Sequence, residues 1–505
     1  MASPPHPGTS EDDIGEATLD PTDWTQLRAL AHRAVDDSID HLAGRSEQPV
    51  WRPMPDEVRA SFAGPLPRSP AGANAAYEDF ITRVAPYSMG NDHARFWGWY
   101  MGAGNPVGNI ADLLASVHNA NLGGGDHAPV LVERQTVAWC AEAAGYPPGA
   151  SGLFVSGASE ANLVGLAVAR SAAIGPSVRH RGLDGRPYAV YASSEVHSCH
   201  RKSCELLGLG AGALRQVPVL DDYSMDVAAL ADAIATDRAN GVTPVAVVAT
   251  AGTVNTGATD DLGAIADLVE HEGIWLHVDG AIGGFLNLGG AAGRVRGIER
   301  ADSVALDLHK WMQAPMDVGL VLVRDPSAHR GTFSVESSYL THSDRGLSGS
   351  DLWYTELGIA LSRGFRALRV WMAFTAYGAD AFGRVMDANI AQAHHLATAV
   401  EAAPDLELLA PVGCDIVCFR YAPGGLTPER LDEVTHEVTL RLHESGVAIV
   451  SETQLRGRHA MRCAIGNHRT RTEDLDLLVT TVRRLGSEVL AELAGEPVKE
   501  PTLAP

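Results

Sequence analysis

Apolar positions in the middle third of the chain fall into short runs that alternate with stretches of helical periodicity. The runs are YAVYAS at 188–193, PVAVVAT at 244–250, IWLHVD at 274–279, SVALD at 303–307 and VGLVLV at 318–323. Continuous apolar strands separated by helices are typical of a mostly parallel sheet with helices on both faces. We therefore predict an α/β fold whose large domain, residues 91–376, is built on such a sheet.

The flanking regions have other patterns. Residues 21–90 carry apolar positions at helical spacing, interrupted by a proline-punctuated loop around Pro53 to Pro70, and predict an N-terminal helical arm. Residues 377–493 combine helical stretches with the strand-like segments DIVCFRY, GVAIVS and AMRCAIG, which predicts a small C-terminal α+β domain. Residues 1–20 and 494–505 are rich in Pro, Gly and acidic residues and are expected to be disordered tails.

Composition and charge exclude several classes of partner. Hydrophobic residues make up 45% and charged residues 20% of the 505 residues, near globular averages. The formal charge of −23 would repel nucleic acid and anionic lipid. No apolar run reaches 18 residues, and the acidic start does not resemble a secretory signal. We expect a cytoplasmic protein without nucleic-acid or membrane partners.

The six cysteines are too sparse for a disulfide framework. His197, Cys199, His200 and Cys204 are residue types that bind zinc, but their spacing matches no usual ligand pattern. We therefore predict no metal site.

Lysine is unusually rare in this chain. Only three of the 39 basic residues are lysines, namely Lys202, Lys310 and Lys499. Lys310 alone follows an apolar strand, SVALD, whereas the other two lie in polar or Pro-rich segments. Arginine cannot lose its proton to become a nucleophilic amine, so a lysine retained in an apolar context predicts amine chemistry.

Two further groups are expected at strand ends, where functional groups of open α/β sheets collect. Asp279 ends the apolar strand IWLHVD, so its buried carboxylate needs a partner. Gly157, Ala158 and Ser159 join a strand-like run to a helix, a geometry that suits a phosphate. Each has a structural alternative: Asp279 as the N-cap of the next helix, and the small-residue turn as a plain helix cap.

Together these groups match the needs of one cofactor. Pyridoxal 5′-phosphate (PLP) requires a phosphate anchor, an acid that keeps its ring nitrogen protonated and an amine that forms a Schiff base. His197 follows a strand and could stack on the ring, although a lone histidine could equally be a cap or core residue.

Several segments in order resemble the PLP-dependent group II amino-acid decarboxylases, which include aromatic-L-amino-acid, glutamate and histidine decarboxylases. They are SGASEANLVGLAVAR, SSEVHS, ATAGTVNTGATDDL, WLHVDGAIGGF, DLHKW and LSRGFRALRVW, and the resemblance covers about residues 75–470. It implies fold type I with a mostly parallel seven-stranded sheet, and a homodimer with a shared active site.

The resemblance also assigns site residues. It implies that Lys310 forms the Schiff base, that Asp279 pairs with the ring nitrogen, and that His197 and Ala281 cover the two ring faces. Further cofactor contacts are implied for Gly157, Ala158, Ser159, Thr253 and His309. Tyr339, 29 residues beyond the lysine, matches the tyrosine of a mobile loop that protonates the substrate carbon after CO2 leaves; alternatively it is a surface-loop aromatic.

The substrate side departs from the aromatic-specific pattern of the family. Trp99 and Tyr100 keep aromatic walls, whereas Asn91, Gly102 and Asn121 stand where bulkier or apolar groups are common.

We predict a PLP-dependent decarboxylase that converts an L-amino acid with an aromatic or other medium-to-large side chain to its amine and CO2. Two alternatives concern the reaction: decarboxylation coupled to oxidative deamination, as in an aldehyde synthase, and decarboxylation of an acidic or polar amino acid. A non-catalytic cofactor-carrying scaffold is the third, and Lys310, Asp279 and Tyr339 argue against it.

Overall fold

The computed structural model describes residues 18–335, 343–351 and 353–493. The strands are β1 Phe96–Trp97, β2 Ser151–Val155, β3 Tyr188–Ser193, β4 Leu214–Val217, β5 Thr243–Thr250, β6 Trp275–Gly280, β7 Ser303–Asp307, β8 Gly319–Val323, β9 Leu406–Leu408, β10 Ile416–Tyr421, β11 Ile449–Leu455 and β12 Arg458–Ala464. The α-helices are α1 Trp24–Ala43, α2 Asp56–Ser61, α3 Ala73–Asp79, α4 Pro106–His118, α5 Ala128–Ala143, α6 Ala158–Ile174, α7 Val178–Arg181, α8 Cys199–Leu206, α9 Val227–Ala239, α10 Leu262–Glu272, α11 Pro326–Phe333, α12 Ala367–Tyr377, α13 Ala379–Ala402, α14 Pro428–Glu444 and α15 Thr472–Leu493.

The larger sheet has seven strands in the order β2-β8-β7-β6-β5-β3-β4. Its strands all run in one direction except β8, which is antiparallel to both of its neighbours. The prediction of an α/β fold with a mostly parallel seven-stranded sheet is therefore confirmed. The reversal of β8 has a local cause, since residues 308–318 contain no α-helix that could form a crossover between parallel strands.

The smaller sheet has five strands in the order β1-β11-β12-β10-β9. Its pairings are antiparallel except that between β1 and β11. A separate hydrophobic cluster packs on it, with Trp97, Phe419, Val438 and Leu478 among its buried members. The strand-like segments in residues 377–493 thus form strands, whereas β1, only two residues long, has no pattern that the sequence analysis could detect.

The chain divides into two compact units. One contains residues 18–48 and 52–88 of the described chain, and the other contains residues 49–51 together with the described residues from 89 onward. Neither this division nor any other finding tests the predicted boundary between residues 376 and 377, which stays a prediction. None of the described helices is long and apolar enough to cross a membrane.

The first unit is helical. Its helix α1 begins after Asp23, whose carboxylate accepts a hydrogen bond from Thr25 N at 2.8 Å. No residue of α1 is buried within the chain. The short helix α2 lies inside the stretch that was expected to be a loop, so that expectation was wrong; Pro55 stands at its N-cap position, where proline does not interrupt a helix.

Strand register determines where the chemistry of the large sheet lies. Thr250 of β5 pairs with Asp279 of β6, and the adjacent Gly280 pairs with Leu306 of β7. The carboxyl ends of three neighbouring parallel strands therefore meet at one edge of the sheet. Lys310 follows the end of β7 by three residues, at that same edge.

Candidate active site

A cavity of about 450 Å³ opens at the carboxyl edge of the large sheet. The residues that line it are Trp99, Tyr100, Met101, Ser156, Gly157, Ala158, Ser159, Asn162, His197, Cys199, Thr250, Gly252, Val254, Asn255, Asp279, Ala281, Ile282, Asp307, His309, Lys310, Met316, Ser451, Glu452 and Arg462. A larger depression, of about 1130 Å³, lies at the opposite edge of the sheet, where the strands begin. Functional groups in open α/β sheets collect at carboxyl ends, so we assign the chemistry to the smaller cavity.

Lys310 reaches the cavity from the turn after β7. Its Nζ lies 3.4 Å from Oδ2 of Asp307, the last residue of that strand. His309 Nδ1 lies 3.0 Å from the other oxygen of the same carboxylate. The buried carboxylate of Asp307 thus orients Lys310, whereas His309 Nδ1 is hydrogen-bonded by the main chain of Val318.

Asp279 is buried at the end of β6 and has a specific partner. His200 Nε2, on α8, lies 2.9 Å from Asp279 Oδ2, and the amide of Ala281 donates to Oδ1 at 3.2 Å. Burial alone would raise the pKa of Asp279, but the hydrogen bond from His200 and the charges of His200 and Lys310 lower it below its ordinary value. Asp279 is therefore an anion at neutral pH.

The pKa of His200 shifts in the opposite direction, upward. Burial would lower its pKa, but the hydrogen bonds to Asp279 and Cys199 raise it above the usual range. Burial would also raise the pKa of the Cys199 thiol, yet hydrogen bonds to His197 and His200 lower it to about 6. The imidazolium of His200 and the carboxylate of Asp279 thus form a buried ion pair, in which Asp279 lines the cavity and His200 lies behind it.

A neutral hydrogen-bonded chain supports this ion pair. His277 Nε2 lies 2.7 Å from Asn162 Oδ1, and its Nδ1 lies 2.7 Å from Ser303 Oγ. Burial and the charge of His200 lower the pKa of His277 to about 3, so its ring stays neutral. Asn162 in turn donates to Cys199 Sγ at 3.6 Å. These contacts fix the position of α8, which carries His200.

The small-residue turn predicted to bind phosphate is the start of α6. The helix begins at Ala158, and Gly157 precedes it without a side-chain cap. The first N–H groups of a helix have no partner within it and form a site for an anion. A Cβ atom added to Gly157 would lie 3.3 Å from His309 Cε1, so glycine keeps space open between the helix start and His309.

The five-stranded sheet adds a cation to the opposite wall. Arg462, on β12, is 4% exposed, and its guanidinium donates to the carbonyl oxygens of Trp99 and Asn255. Its Nη2 is buried and has no hydrogen-bond partner among the described residues. A buried cation with an unused donor beside a cavity suits an anionic ligand group.

Most of the sequence-predicted residues line this cavity. They are Lys310, His197, Asp279, Gly157, Ala158, Ser159, Ala281, His309, Trp99 and Tyr100. Thr253 does not; its Oγ1 contacts Thr256 Oγ1 at 3.0 Å inside a buried turn, and Thr250 lines the cavity instead. Tyr339 lies outside the described residues.

Three predicted pocket residues lie behind the wall. Asn91 donates to the carbonyl of Gly102 at 3.1 Å, and Gly102 packs so closely on the main chain of His309 and Lys310 that a Cβ atom would lie 2.3 Å from His309 O. Asn121 accepts from the amides of Gly123 and Arg363 and supports a different loop. In this chain they shape the main chain around the cavity without lining it, and their role as substrate-pocket residues stays a prediction.

Sequence reasoning missed three functional candidates, Asp307, His200 and Arg462. Asp307 ends the apolar strand SVALD as Asp279 ends IWLHVD, so the same signal could have found it. His200 was considered only as a zinc ligand, and its contact with Asp279, 79 residues away, has no local signal. Arg462 lies in another sheet and is one of many arginines.

Comparison with known proteins agrees with this geometry. Residues 55–422 match the family model described as the pyridoxal-dependent decarboxylase conserved domain. The chain is 33% identical over 472 residues to an aromatic-L-amino-acid decarboxylase of Bacillus atrophaeus, which covers 92% of this chain and 96% of that protein. It is 32% identical over 382 residues to an L-2,4-diaminobutyrate decarboxylase of Rhizobium meliloti, covering 74% and 75% of the two chains.

A solved structure is also similar over nearly the whole chain. The crystal structure of Oryza sativa TDC with PLP and tryptamine has a TM-score of 0.86 and 27% sequence identity, and the match covers 94% of this chain and 100% of that one. The chain that carries Lys310, Asp279 and the start of α6 thus matches this family over most of its length. The chain belongs to the pyridoxal-dependent decarboxylase family and is a PLP-dependent amino-acid decarboxylase.

Proposed function

We propose that the enzyme removes the α-carboxylate of an L-amino acid with an aromatic or similarly large side chain, giving CO2 and the amine. The observation that carries this proposal is the apolar and aromatic part of the cavity lining. Trp99, Tyr100 and Met101 line it on one side, and Ile282 and Met316 add apolar surface. Apolar and aromatic walls favour a substrate side chain that buries its own apolar surface there.

The described residues fit PLP. The uncapped start of α6 and the open space at Gly157 suit its phosphate, and buried Thr250 Oγ1 has no hydrogen-bond partner among the described residues, which leaves it available to a ligand. The anionic Asp279 suits the protonated ring nitrogen. When bound, the cofactor supplies an electron sink for the bond to the α-carboxylate.

The protein groups would then have distinct roles. Lys310 provides the amine that joins the cofactor, and Asp307 orients its Nζ. Asp279 stabilises the positive charge of the ring nitrogen, and His200 keeps Asp279 ionised. His197 and Ala281, which line the cavity, would contact the ring.

Arg462 is our candidate for the substrate anchor. A charge-assisted hydrogen bond from its free Nη2 to the α-carboxylate would satisfy a donor that is otherwise buried without a partner. The same contact would hold the carboxylate in one orientation within the cavity.

Tyr339 is our candidate for the acid that protonates the substrate carbon. The alternative is the coupled oxidative reaction that leads to an aldehyde. Simultaneous measurement of CO2, amine and aldehyde separates them: we expect CO2 and amine in equal amounts from the wild type, and CO2 in excess of amine from Tyr339→Phe. Aldehyde as the main wild-type product would establish the oxidative alternative, and equal products from the variant at an unchanged rate would remove Tyr339 from this role.

One observation favours a second substrate class. A relative is named for L-2,4-diaminobutyrate. We would measure CO2 release from L-Trp, L-Tyr, L-Phe, L-Glu, L-Asp and L-2,4-diaminobutyrate; the proposal expects the three aromatic substrates to have the highest kcat/KM, and a preference for any of the other three would overturn it.

We further propose a homodimer. Helix α4 exposes Ile110, Leu113 and Val117, which are 50%, 53% and 73% exposed and lie at helical spacing on one face. A contiguous apolar face of this kind suits a second copy of the chain. Sedimentation should give a dimer, and Leu113→Glu should shift it toward monomer. The expected cytoplasmic location stays a prediction.

A further inference from the structure

A cluster of potential metal ligands lies on the five-stranded sheet, on the face that α14 covers. His436 is on α14, Glu452 on β11 and His459 at the start of β12. His436 Nδ1 lies 3.0 Å from Glu452 Oε1, and His459 Nε2 lies 2.8 Å from the same oxygen. One ligand atom from each residue lies within 4.8 Å of the other two.

These distances are close to those within a coordination sphere. Two ligand atoms about 2.0–2.1 Å from a tetrahedral zinc ion are roughly 3.3 Å apart. His436 Nδ1 and His459 Nε2 each lie near this separation from Glu452 Oε1, and all three atoms lie within 4.8 Å of one another, so small side-chain rotations would suffice. Two imidazoles and one carboxylate are also the donor set of known zinc sites that keep a fourth position for water.

The backbone around the cluster holds the ligands in place. Asp432, one helical turn before His436 on α14, accepts the main-chain N–H of His459 at 3.0 Å. Gln454 pairs with His459 between β11 and β12, and Glu452 pairs with Met461, so Glu452 and His459 extend from neighbouring positions on one face. Three elements are thus fixed relative to one another before any ion binds.

The cluster is also accessible from solvent. The His436 side chain is 54% exposed, that of Glu452 28% and that of His459 19%. An ion can therefore enter without opening the fold.

We propose that His436, Glu452 and His459 bind a divalent transition-metal ion of the zinc class. The ion displaces the protons shared between the imidazoles and the carboxylate and completes its coordination with water. An ion bound there neutralises the carboxylate charge of Glu452.

Zinc binding to the tag-free holoenzyme tests this proposal. We expect the wild type to bind one Zn²⁺ more than His436→Ala or His459→Ala, and the affinity at this site to fall by roughly tenfold or more in Glu452→Gln. His395→Ala is the matched control, because His395 makes an exposed pair with Asp476 at 2.7 Å but has no third potential ligand near enough among the described residues. It should retain the wild-type stoichiometry, and His436→Ala should retain wild-type decarboxylation in metal-free buffer.

Cobalt distinguishes this site from the other candidate group, Cys199, His200 and Asp279, whose ligand atoms also lie within 4.8 Å of one another. An ion on His436 and His459 has no sulfur ligand, so Co²⁺ should give d–d bands without thiolate charge transfer. Thiolate charge transfer, zinc binding unaffected by the histidine substitutions, or no bound zinc in the wild type would each overturn the proposal.

Discussion

The two sheets contribute to the cavity in different ways. The seven-stranded sheet provides Asp279, Asp307 and Lys310 at or just beyond the ends of its parallel strands. The five-stranded sheet provides Ser451, Glu452 and Arg462 from within β11 and β12, where Ser451 pairs directly with Arg462. The first group includes the buried carboxylate of Asp279, which suits a cationic ring. The second includes the cation of Arg462, which suits a carboxylate. We therefore expect the first group to determine the rate of the chemical step and the second to determine substrate binding.

Asp279→Asn should have the largest effect. The amide has nearly the same shape but no charge, so the ring nitrogen loses its counterion and kcat should fall roughly a hundredfold or more. Steady-state kinetics on the PLP-saturated enzyme measure this, with KM changing little. A kcat within twofold of the wild type would contradict the expectation that the residues of the seven-stranded sheet determine the rate of the chemical step.

Arg462→Gln should affect mainly KM. Loss of one charge-assisted hydrogen bond, worth roughly 1.5–3 kcal/mol, should lower kcat/KM by about 10- to 100-fold. The control is Arg420→Gln, on β10 of the same sheet, because Arg420 is also buried but pairs with Glu407 and Asp432 and does not line the cavity. Equal losses in the two variants would indicate a structural role for Arg462.

His200→Phe tests whether His200 keeps Asp279 ionised. Without its partner, buried Asp279 should regain protons more easily, because burial raises the pKa of a carboxyl group. The acid limb of the kcat profile should move to higher pH, kcat should fall about tenfold, and PLP should bind more weakly.

The control for this variant is His200→Gln, whose amide can still donate to Asp279. It should keep the acid limb near that of the wild type. An unchanged acid limb in His200→Phe would mean that His200 has no part in holding Asp279 ionised.

Asp415→Asn should have the smallest effect on catalysis, because its expected effect is on stability. Asp415 accepts a hydrogen bond from Tyr100, and burial raises its pKa to about 6. Because the folded pKa exceeds the unfolded value, Asp415 stabilises the fold below about pH 4, and this contribution is lost as pH rises through 6. Between pH 4 and 7 the wild type should lose up to about 3 kcal/mol more unfolding free energy than the variant. Parallel profiles from urea unfolding would contradict this.

The same contrast explains what could be predicted from the sequence. The strands of the large sheet were recognisable because continuous apolar runs end abruptly in a charged residue, as in IWLHVD and SVALD. The positions of Asp279 and Lys310 at one edge follow from parallel strands alone. The direction of β8 was not predictable, because VGLVLV is buried on both faces and has the same pattern in either direction.

The site residues outside the large sheet could not be predicted in the same way. Arg462 lies 152 residues beyond Lys310 and reaches the cavity through the pairing of β12 with β11, a tertiary contact without a local pattern. His200 meets Asp279 only because α8 packs behind the sheet. The family resemblance carried the cofactor assignment, whereas these partners required coordinates.

The most direct test of the account is to identify the amine that joins the cofactor. Borohydride reduction of the holoenzyme followed by peptide mapping should recover the reduced cofactor on Lys310, whose Nζ lies at the cavity wall beside Asp307. Lys310→Ala should yield no labelled peptide and no turnover while still binding some PLP through the phosphate and Asp279 contacts. Recovery of the label on Lys202 or Lys499, or near-normal turnover by Lys310→Ala, would contradict the assignment of the active site.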